Sequence, residues 1–417
     1  MEVSMTAKPP VFVHAADLHI GSPLRNLGKG VSDQDRKSLV ERVDKAFDNL
    51  ISTTITIGAE FIVLAGDIYD GAEREAHAQI RFSLGLQRLV DAGVGVYIVH
   101  GNHDPLINSV VNVVSLPEQV VVFGTDQVNA VAHKMRDGRT VIVAGISYAD
   151  VREERPLATM FRDLNPDGAA AVVGVLHTNL GGVSTAHGNY APSSESDLTA
   201  APVDYWALGH VHKRQIKSIG QNRYWAYPGN LQGRDAGEEG EKGALVVPIL
   251  THGVGEPEFI ALDTIRFAQI DLDCSEEDNL TGIGRLVNDR VKALTCDLPL
   301  ILRVTLRGRS RAYGPVRETA QLEKALQVIC GDSLNGGYVE KVRFQLLPAL
   351  DVESLRHADD LLGDLLRAVE TLSASDFDAA TAGLDPSVLT DGLIGDLRNS
   401  ITADLLNEFT NNVNGAA

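Results

Sequence analysis

Five short polar elements stand at the ends of apolar, β-branched runs, and their order constrains this chain more than any other feature. Runs at residues 11–15, 61–65, 94–100, 141–146, 171–177 and 205–208 each predict a buried strand, with helices predicted over 35–57 and 73–92. Strands alternating with helices, and carrying polar or Gly-rich ends, predict an α/β sandwich whose function sits at those ends. After Tyr205 the pattern turns hairpin-like, over 214–219, 224–226, 244–249 and 258–262, so a mixed sheet closed by antiparallel strands is expected.

The elements are Asp17-Leu18-His19, Gly66-Asp67-Ile68-Tyr69-Asp70, Gly101-Asn102-His103-Asp104, His177 and Gly209-His210-Val211-His212. In extended backbone, residues two apart leave on one face, so Asp17 with His19, and His210 with His212, can meet one ion. Taken singly these are weak: an Asp after a Gly is more often a turn or helix cap, and a lone histidine at a strand end is more often a satisfied core residue. Together, Asp17, His19, Asp67, Asn102, His177, His210 and His212 make seven ligand-type side chains in a fixed order. Imidazole, carboxylate and amide oxygen suit Mn²⁺, Fe²⁺, Zn²⁺ or Ni²⁺ better than Mg²⁺ or Ca²⁺. With Asp67 as a bridging carboxylate, the set predicts two divalent ions roughly 3.5–4 Å apart and metal-assisted phosphoester hydrolysis. His103 and Asp104 are the candidates for catalytic groups that do not hold metal.

Composition limits how a substrate could be held. The chain has 417 residues, 37 Lys plus Arg against 56 Asp plus Glu, and a net charge of −19. Bulk attraction to a polyanion is excluded, so phosphates must meet local cations or metal ions. Arg25, Lys213, Arg214 and Arg234, with Asp70 beside them, lie close to the motifs and are the candidate substrate contacts. Aromatic residues are 5% of the chain, which disfavours recognition through many stacking platforms. Three cysteines without CxxC spacing predict a reducing compartment. No apolar run approaches the roughly 18 residues of a membrane span, and MEVSMTAKPP has no signal-peptide core. A cytoplasmic protein without membrane attachment is expected.

Three segments are predicted: 1–265 with the motifs, a small β-α-β-α-β unit over 266–348, and an acidic helical tail over 349–417. From Asp351 onward there are 13 acidic and 3 basic residues, so about half the net charge lies there. Leu355, Leu362, Leu365, Leu366, Val369 and Leu372 recur at helical spacing, as do Leu393, Leu397, Ile401, Leu405 and Phe409. These stripes predict amphipathic helices that either pack internally or dock a partner. Gly237–Gly243 (GEEGEKG) is glycine-rich but lacks P-loop spacing.

The order DxH, GDxxD, GNHD, H, GHxH resembles the calcineurin-like metallophosphoesterase superfamily. Within it, FVHAADLHIGSPL, YWALGHVHKRQ and YPGNLQGRDAGEEGEKGALVV resemble DNA-repair exonucleases of the SbcD and YhaO type, over about residues 11–250. The resemblance implies a metallophosphoesterase β-sandwich flanked by helices, with a small α+β capping domain and a helical tail. It implies that Asp17, His19, Asp67 and His212 hold one metal and that Asp67, Asn102, His177 and His210 hold the other. It further implies a transition-state or leaving-group role for His103, Mn²⁺ as the first choice with Fe, Zn, Ni or Mg open, DNA as substrate, and an SMC-like coiled-coil ATPase as partner. A homodimer is compatible with it. Asp70 stands where archaeal and eukaryotic relatives carry His, which fits the bacterial form of the motif. Two rival readings are a small-molecule phosphodiesterase or pyrophosphatase on the same scaffold, and a non-catalytic scaffold subunit. The additional domain and tail argue against the first, and the full ligand set argues against the second.

Overall fold

The central strands are apolar at successive positions because both of their faces are covered. The structure is a computed structural model; it describes residues 9–22, 33–69, 76–107, 114–181, 191–317 and 322–349, together with 361–372 and short stretches within 355–359 and 395–405. The chain divides into two units, Met1–Phe267 and Ala268–Ala417.

The first unit runs β1 (Val11–Ala15), α1 (Asp33–Thr56), β2 (Phe61–Ala65), α2 (Ala76–Asp91), β3 (Gly95–Val99), β4 (Val121–Val122), β5 (Asn129–Lys134), β6 (Thr140–Ile146), β7 (Ala171–His177), α3 (Glu195–Ala200), β8 (Tyr205–Gly209), β9 (Gln215–Gly220), β10 (Arg223–Tyr227), β11 (Gly243–Pro248) and β12 (Glu258–Ala261). Two six-stranded sheets form, ordered β12-β11-β1-β2-β3-β4 and β5-β6-β7-β8-β10-β9. Strands β1, β2 and β3 are parallel neighbours, as are β6, β7 and β8, while β11, β12, β5 and β9 pair antiparallel at the flanks. The expected sandwich is thus built of two mixed sheets, each with parallel strands at its centre and antiparallel pairs at one or both flanks.

Period-two alternation sorts each strand between two cores. In β2, Phe61, Val63 and Ala65 enter the core between the sheets, and Ile62 and Leu64 enter the core beneath α1 and α2. In β8, Tyr205 and Ala207 face inward, and Trp206 and Leu208 pack with Leu157, Phe161 and Leu198 on the far side. Phe12 stacks on Phe61 at 4.7 Å and meets the edge of Tyr205 at 5.3 Å. His14 is wholly buried there, its Nδ1 2.9 Å from the Tyr205 hydroxyl, and burial lowers its pKa to about 3, so the ring is a neutral core residue.

The sheets pinch together where these parallel strands end. A Cβ on Gly209 would strike the Ala65 carbonyl of the opposite sheet, and one on Gly66 or Gly101 would strike the His177 ring. Gly66 also has φ +89°, which a side chain resists. We expect Gly209→Ala to cost about 2–3 kcal/mol in chemical denaturation, because the collision is with backbone that cannot rotate away. Wild-type stability in that variant would show that the sheets are not in contact there.

The second unit is simpler. A three-stranded sheet, β13 (Arg266–Asp273), β14 (Leu300–Ser310) and β15 (Tyr338–Pro348), carries α4 (Leu280–Lys292), α5 (Tyr313–Arg317) and α6 (Leu322–Cys330). Ile270, Leu272, Val304 and Leu306 pack with Ile283, Val287 and Leu326 of the helices. In α7 (Leu361–Thr371) the predicted stripe is divided: Leu362, Leu366 and Val369 are buried, with Leu355 against the first two, while Leu365 is exposed, as is Leu361 outside the stripe. Most of the second stripe lies outside the described residues.

Candidate metal centre

The parallel strands all deliver their C-terminal ends to one edge of the sandwich, which brings distant motifs together. The backbone there is bent in a way extended spacing does not foresee. Asp17 (φ 51°), His19 (φ 45°), Asp67 (φ 51°) and His210 (φ 103°) are four of the eight non-glycine residues with positive φ among those described. Such conformations cost of order 1–3 kcal/mol each and persist where surroundings impose them. Here the Asp17 amide donates to the Gly66 carbonyl at 3.1 Å and the His19 amide to the Asp67 carbonyl at 3.0 Å. Asp17 and His19 therefore meet through two left-handed turns, not through extended alternation. His210 and His212 likewise leave on different sides of the cluster.

All seven predicted ligand-type side chains form one connected set. Asp67 lies at its centre, with Oδ2 3.9 Å from His19 Nε2 and 3.4 Å from His177 Nε2. On one side, His177 Nε2 is 3.0 Å from Asn102 Oδ1, which is 3.2 Å from His210 Nδ1. On the other, His212 Nε2 is 3.3 Å from His19 Nε2 and 3.9 Å from Asp17 Oδ1. Asp17 also accepts from the His210 amide at 3.0 Å. Ligand atoms of Asp17, His19 and His212, and those of Asp17, Asp67 and His177, lie within 4.8 Å of one another.

The donor chemistry fits divalent cations. His177 Nδ1 donates to the Ala65 carbonyl at 2.9 Å, which leaves Nε2 facing two further acceptors, Asp67 Oδ2 and Asn102 Oδ1. Three acceptors can converge only around a positive centre, either a proton or a metal ion. In the protein alone a proton fills that role. Burial opposes it, but Asp67 outweighs burial and raises the His177 pKa to about 9. Burial likewise opposes ionisation of Asp67, and His177 foremost overcomes it, holding the carboxyl well below the usual range. Burial raises Asp17 to about 6 and lowers His210 to about 3, and it holds His19 well below the ordinary histidine value. His212 Nδ1 donates to Glu238 Oε1 at 2.6 Å, again aiming Nε2 inward.

The remaining predicted residues divide clearly. His103 donates its amide to Asp67 Oδ1 at 2.9 Å, and its half-buried ring stands edge-on to His19 at 5.1 Å. Asp104, 1% exposed, turns into the protein: it accepts from the Ile68 amide at 2.9 Å, the Gly101 amide at 2.8 Å and His100 Nδ1 at 3.1 Å. Its contacts brace the GNHD turn, so it does not reach a substrate as the motif suggested. Lys213 and Arg214 are exposed, with the Arg214 guanidinium 3.8 Å over the Phe259 ring. Arg234 is buried beside Glu238, not displayed as a surface cation. Arg25 and Asp70 lie outside the described residues. Glu238 is the residue that the motifs missed. It stands in a glycine-rich segment with no ligand spacing, and its only signal was a carboxylate just before an apolar run.

Residues 10–214 match the calcineurin-like phosphoesterase family. The chain is 29% identical to the uncharacterized metallophosphoesterase YhaO of Bacillus subtilis (strain 168) over 372 residues, 88% of each protein. It is 26% identical to the DNA double-strand break repair protein Mre11 of Methanococcus maripaludis over 237 residues, 52% of this chain and 56% of that protein. With Mre11 of Aeropyrum pernix the identity is 27%, over 53% of each. This chain thus spans about half the length of those Mre11 relatives. The family segment encloses all seven side chains of the cluster, and the chain carries a calcineurin-like metallophosphoesterase domain homologous to those of YhaO and Mre11.

Proposed function

We propose that the protein is a metal-dependent DNA nuclease, an exonuclease of DNA repair, hydrolysing phosphodiester bonds at a dinuclear site. The observation that carries this reading is Asp67, whose carboxylate lies between the His19 and His177 nitrogens and so joins two acceptor clusters. Asp17, His19, Asp67 and His212 would hold one ion, and Asp67, Asn102, His177 and His210 the other, with Mn²⁺ the favoured metal. When bound, such a pair supplies Lewis acidity to the phosphoryl group and activates a water. The protein contributes orientation: Asp104 braces the turn that presents Asn102 and His103. His103, tied by its own amide to Asp67 and less buried than its neighbours, would pass a proton to the leaving oxygen.

DNA as substrate is supported by the relatives named for double-strand break repair. Exposed Lys213 and Arg214, next to His212, give phosphates local cations in an acidic chain. An SMC-like coiled-coil ATPase would dock on the C-terminal helices, where Leu361 is 72% exposed. Among the described residues no helix is long and apolar enough to cross a membrane.

The deciding assay is Mn²⁺-dependent digestion of end-labelled linear DNA beside bis-p-nitrophenyl phosphate. Digestion of both supports the nuclease reading; cleavage of the small diester alone would refute it and leave a small-molecule phosphodiesterase. Asp67→Asn should lower metal content well below the wild-type value in elemental analysis and abolish hydrolysis of both substrates. Retention of full metal would overturn the bridging role. His103→Ala should keep both metals and lose roughly 10²–10⁴ in rate; metal loss instead would place His103 among the ligands. Reversing Lys213 and Arg214 to Glu should raise KM for DNA and flatten its salt dependence, with the small diester unaffected. Equal effects on both substrates would argue against DNA contact there.

A further inference from the structure

We infer that Glu238 is a positioning residue: it fixes the tautomer and direction of His212, and so sets the metal affinity of the Asp17–His19–His212 position independently of the other. The inference rests on the dinuclear reading above. A carboxylate can only accept, so the 2.6 Å contact of Glu238 Oε1 places the imidazole proton on His212 Nδ1. The lone pair is thereby left on Nε2, which faces His19 Nε2 at 3.3 Å and Asp17 Oδ1 at 3.9 Å.

Glu238 is itself held in place. Its Oε2 accepts from Asn230 Nδ2 at 2.8 Å and from the Arg234 amide at 2.7 Å. The segment carrying it is pinned where Gln232 Nε2 donates to the Ile265 carbonyl at 2.8 Å, and Lys242 Nζ donates to the His212 carbonyl at 3.2 Å. The stretch between β10 and β11 is thus built around one carboxylate aimed at one histidine.

His177 and His212, each with Nδ1 on an oxygen acceptor and Nε2 toward the cluster, are held differently. His177 is wholly buried, so packing fixes its ring, and its Nδ1 donates to a neutral backbone carbonyl. The His212 side chain is 26% exposed and gains its orientation from an ionic partner. A carboxylate behind an imidazole raises its basicity and locks it, and losing such a partner typically weakens metal binding 10–100-fold. Only one of the two positions depends on Glu238.

The test is Mn²⁺ titration of the full-length protein, following free Mn²⁺ by electron paramagnetic resonance, in wild type, Glu238→Gln and Glu238→Ala. Wild type should take two ions; one or none would defeat the dinuclear reading without bearing on Glu238. In both variants one position should keep its wild-type affinity and the other weaken about 10–100-fold, with Ala at least as affected as Gln. Metal-free Glu238→Gln, which keeps an acceptor in place, should melt near the wild-type value, while Glu238→Ala should melt lower because Asn230 and the Arg234 amide lose their acceptor. Two undisturbed positions in Glu238→Ala would overturn the inference. So would equal weakening of both positions together with a lowered melting temperature in Glu238→Gln, which would make the residue a structural brace.

Discussion

Everything at the centre depends on the contact between two sheet edges, where His177 reaches across to donate Nδ1 to the carbonyl of Ala65. That hydrogen bond needs backbones closer than side chains allow, and three glycines supply the room. Gly209 faces the Ala65 carbonyl, and Gly66 and Gly101 flank the imidazole. Because Ala65 ends β2 and His177 ends β7, the bond links the strands that deliver Asp67 and His177. It also determines which nitrogen of His177 faces Asp67. Sheet packing, tautomer and ligand geometry are in this sense one constraint.

The cluster so formed is costly for the protein alone. Left-handed backbone at Asp17, His19, Asp67 and His210 stores strain. Two buried carboxylates stand among imidazoles, of which burial disfavours the charged form at His19 and His210, and a buried ion without a partner costs several kcal/mol. The Asp67–His177 pair meets part of that demand by holding a proton. Divalent cations would meet all of it. The covered strands and stacked Phe12 and Phe61 beneath the site provide the rigidity that such an arrangement requires.

Much of this was legible in the sequence, and the exceptions have physical causes. Long apolar runs gave away β1, β2, β3, β6, β7 and β8, since strands covered on both faces cannot hide polar residues. Strand β5 was missed because it is a largely exposed edge with weak alternation, and β4 because two residues carry no pattern. The seven ligand-type residues were found by their position at strand ends, but the reason given for Asp17 with His19 was incorrect: positive φ, which no spacing rule reveals, turns them together. Asp104 looked catalytic by adjacency, yet its oxygens are taken up by backbone amides and His100. Arg234 looked like a surface cation until tertiary structure buried it. Glu238 was invisible as a site residue, because a carboxylate that contacts only the outer nitrogen of a ligand-type histidine obeys no ligand spacing.

The central claim is that Asp67 joins two metal positions into one reacting unit. Low-temperature electron paramagnetic resonance of the Mn²⁺-saturated protein tests it most directly. Two ions roughly 3.5–4 Å apart, bridged by one carboxylate, should give the multiline spectrum of an exchange-coupled pair. That spectrum should revert to isolated-ion lines in Asp67→Asn. Two uncoupled six-line signals in the wild-type protein, or a single one, would contradict the account.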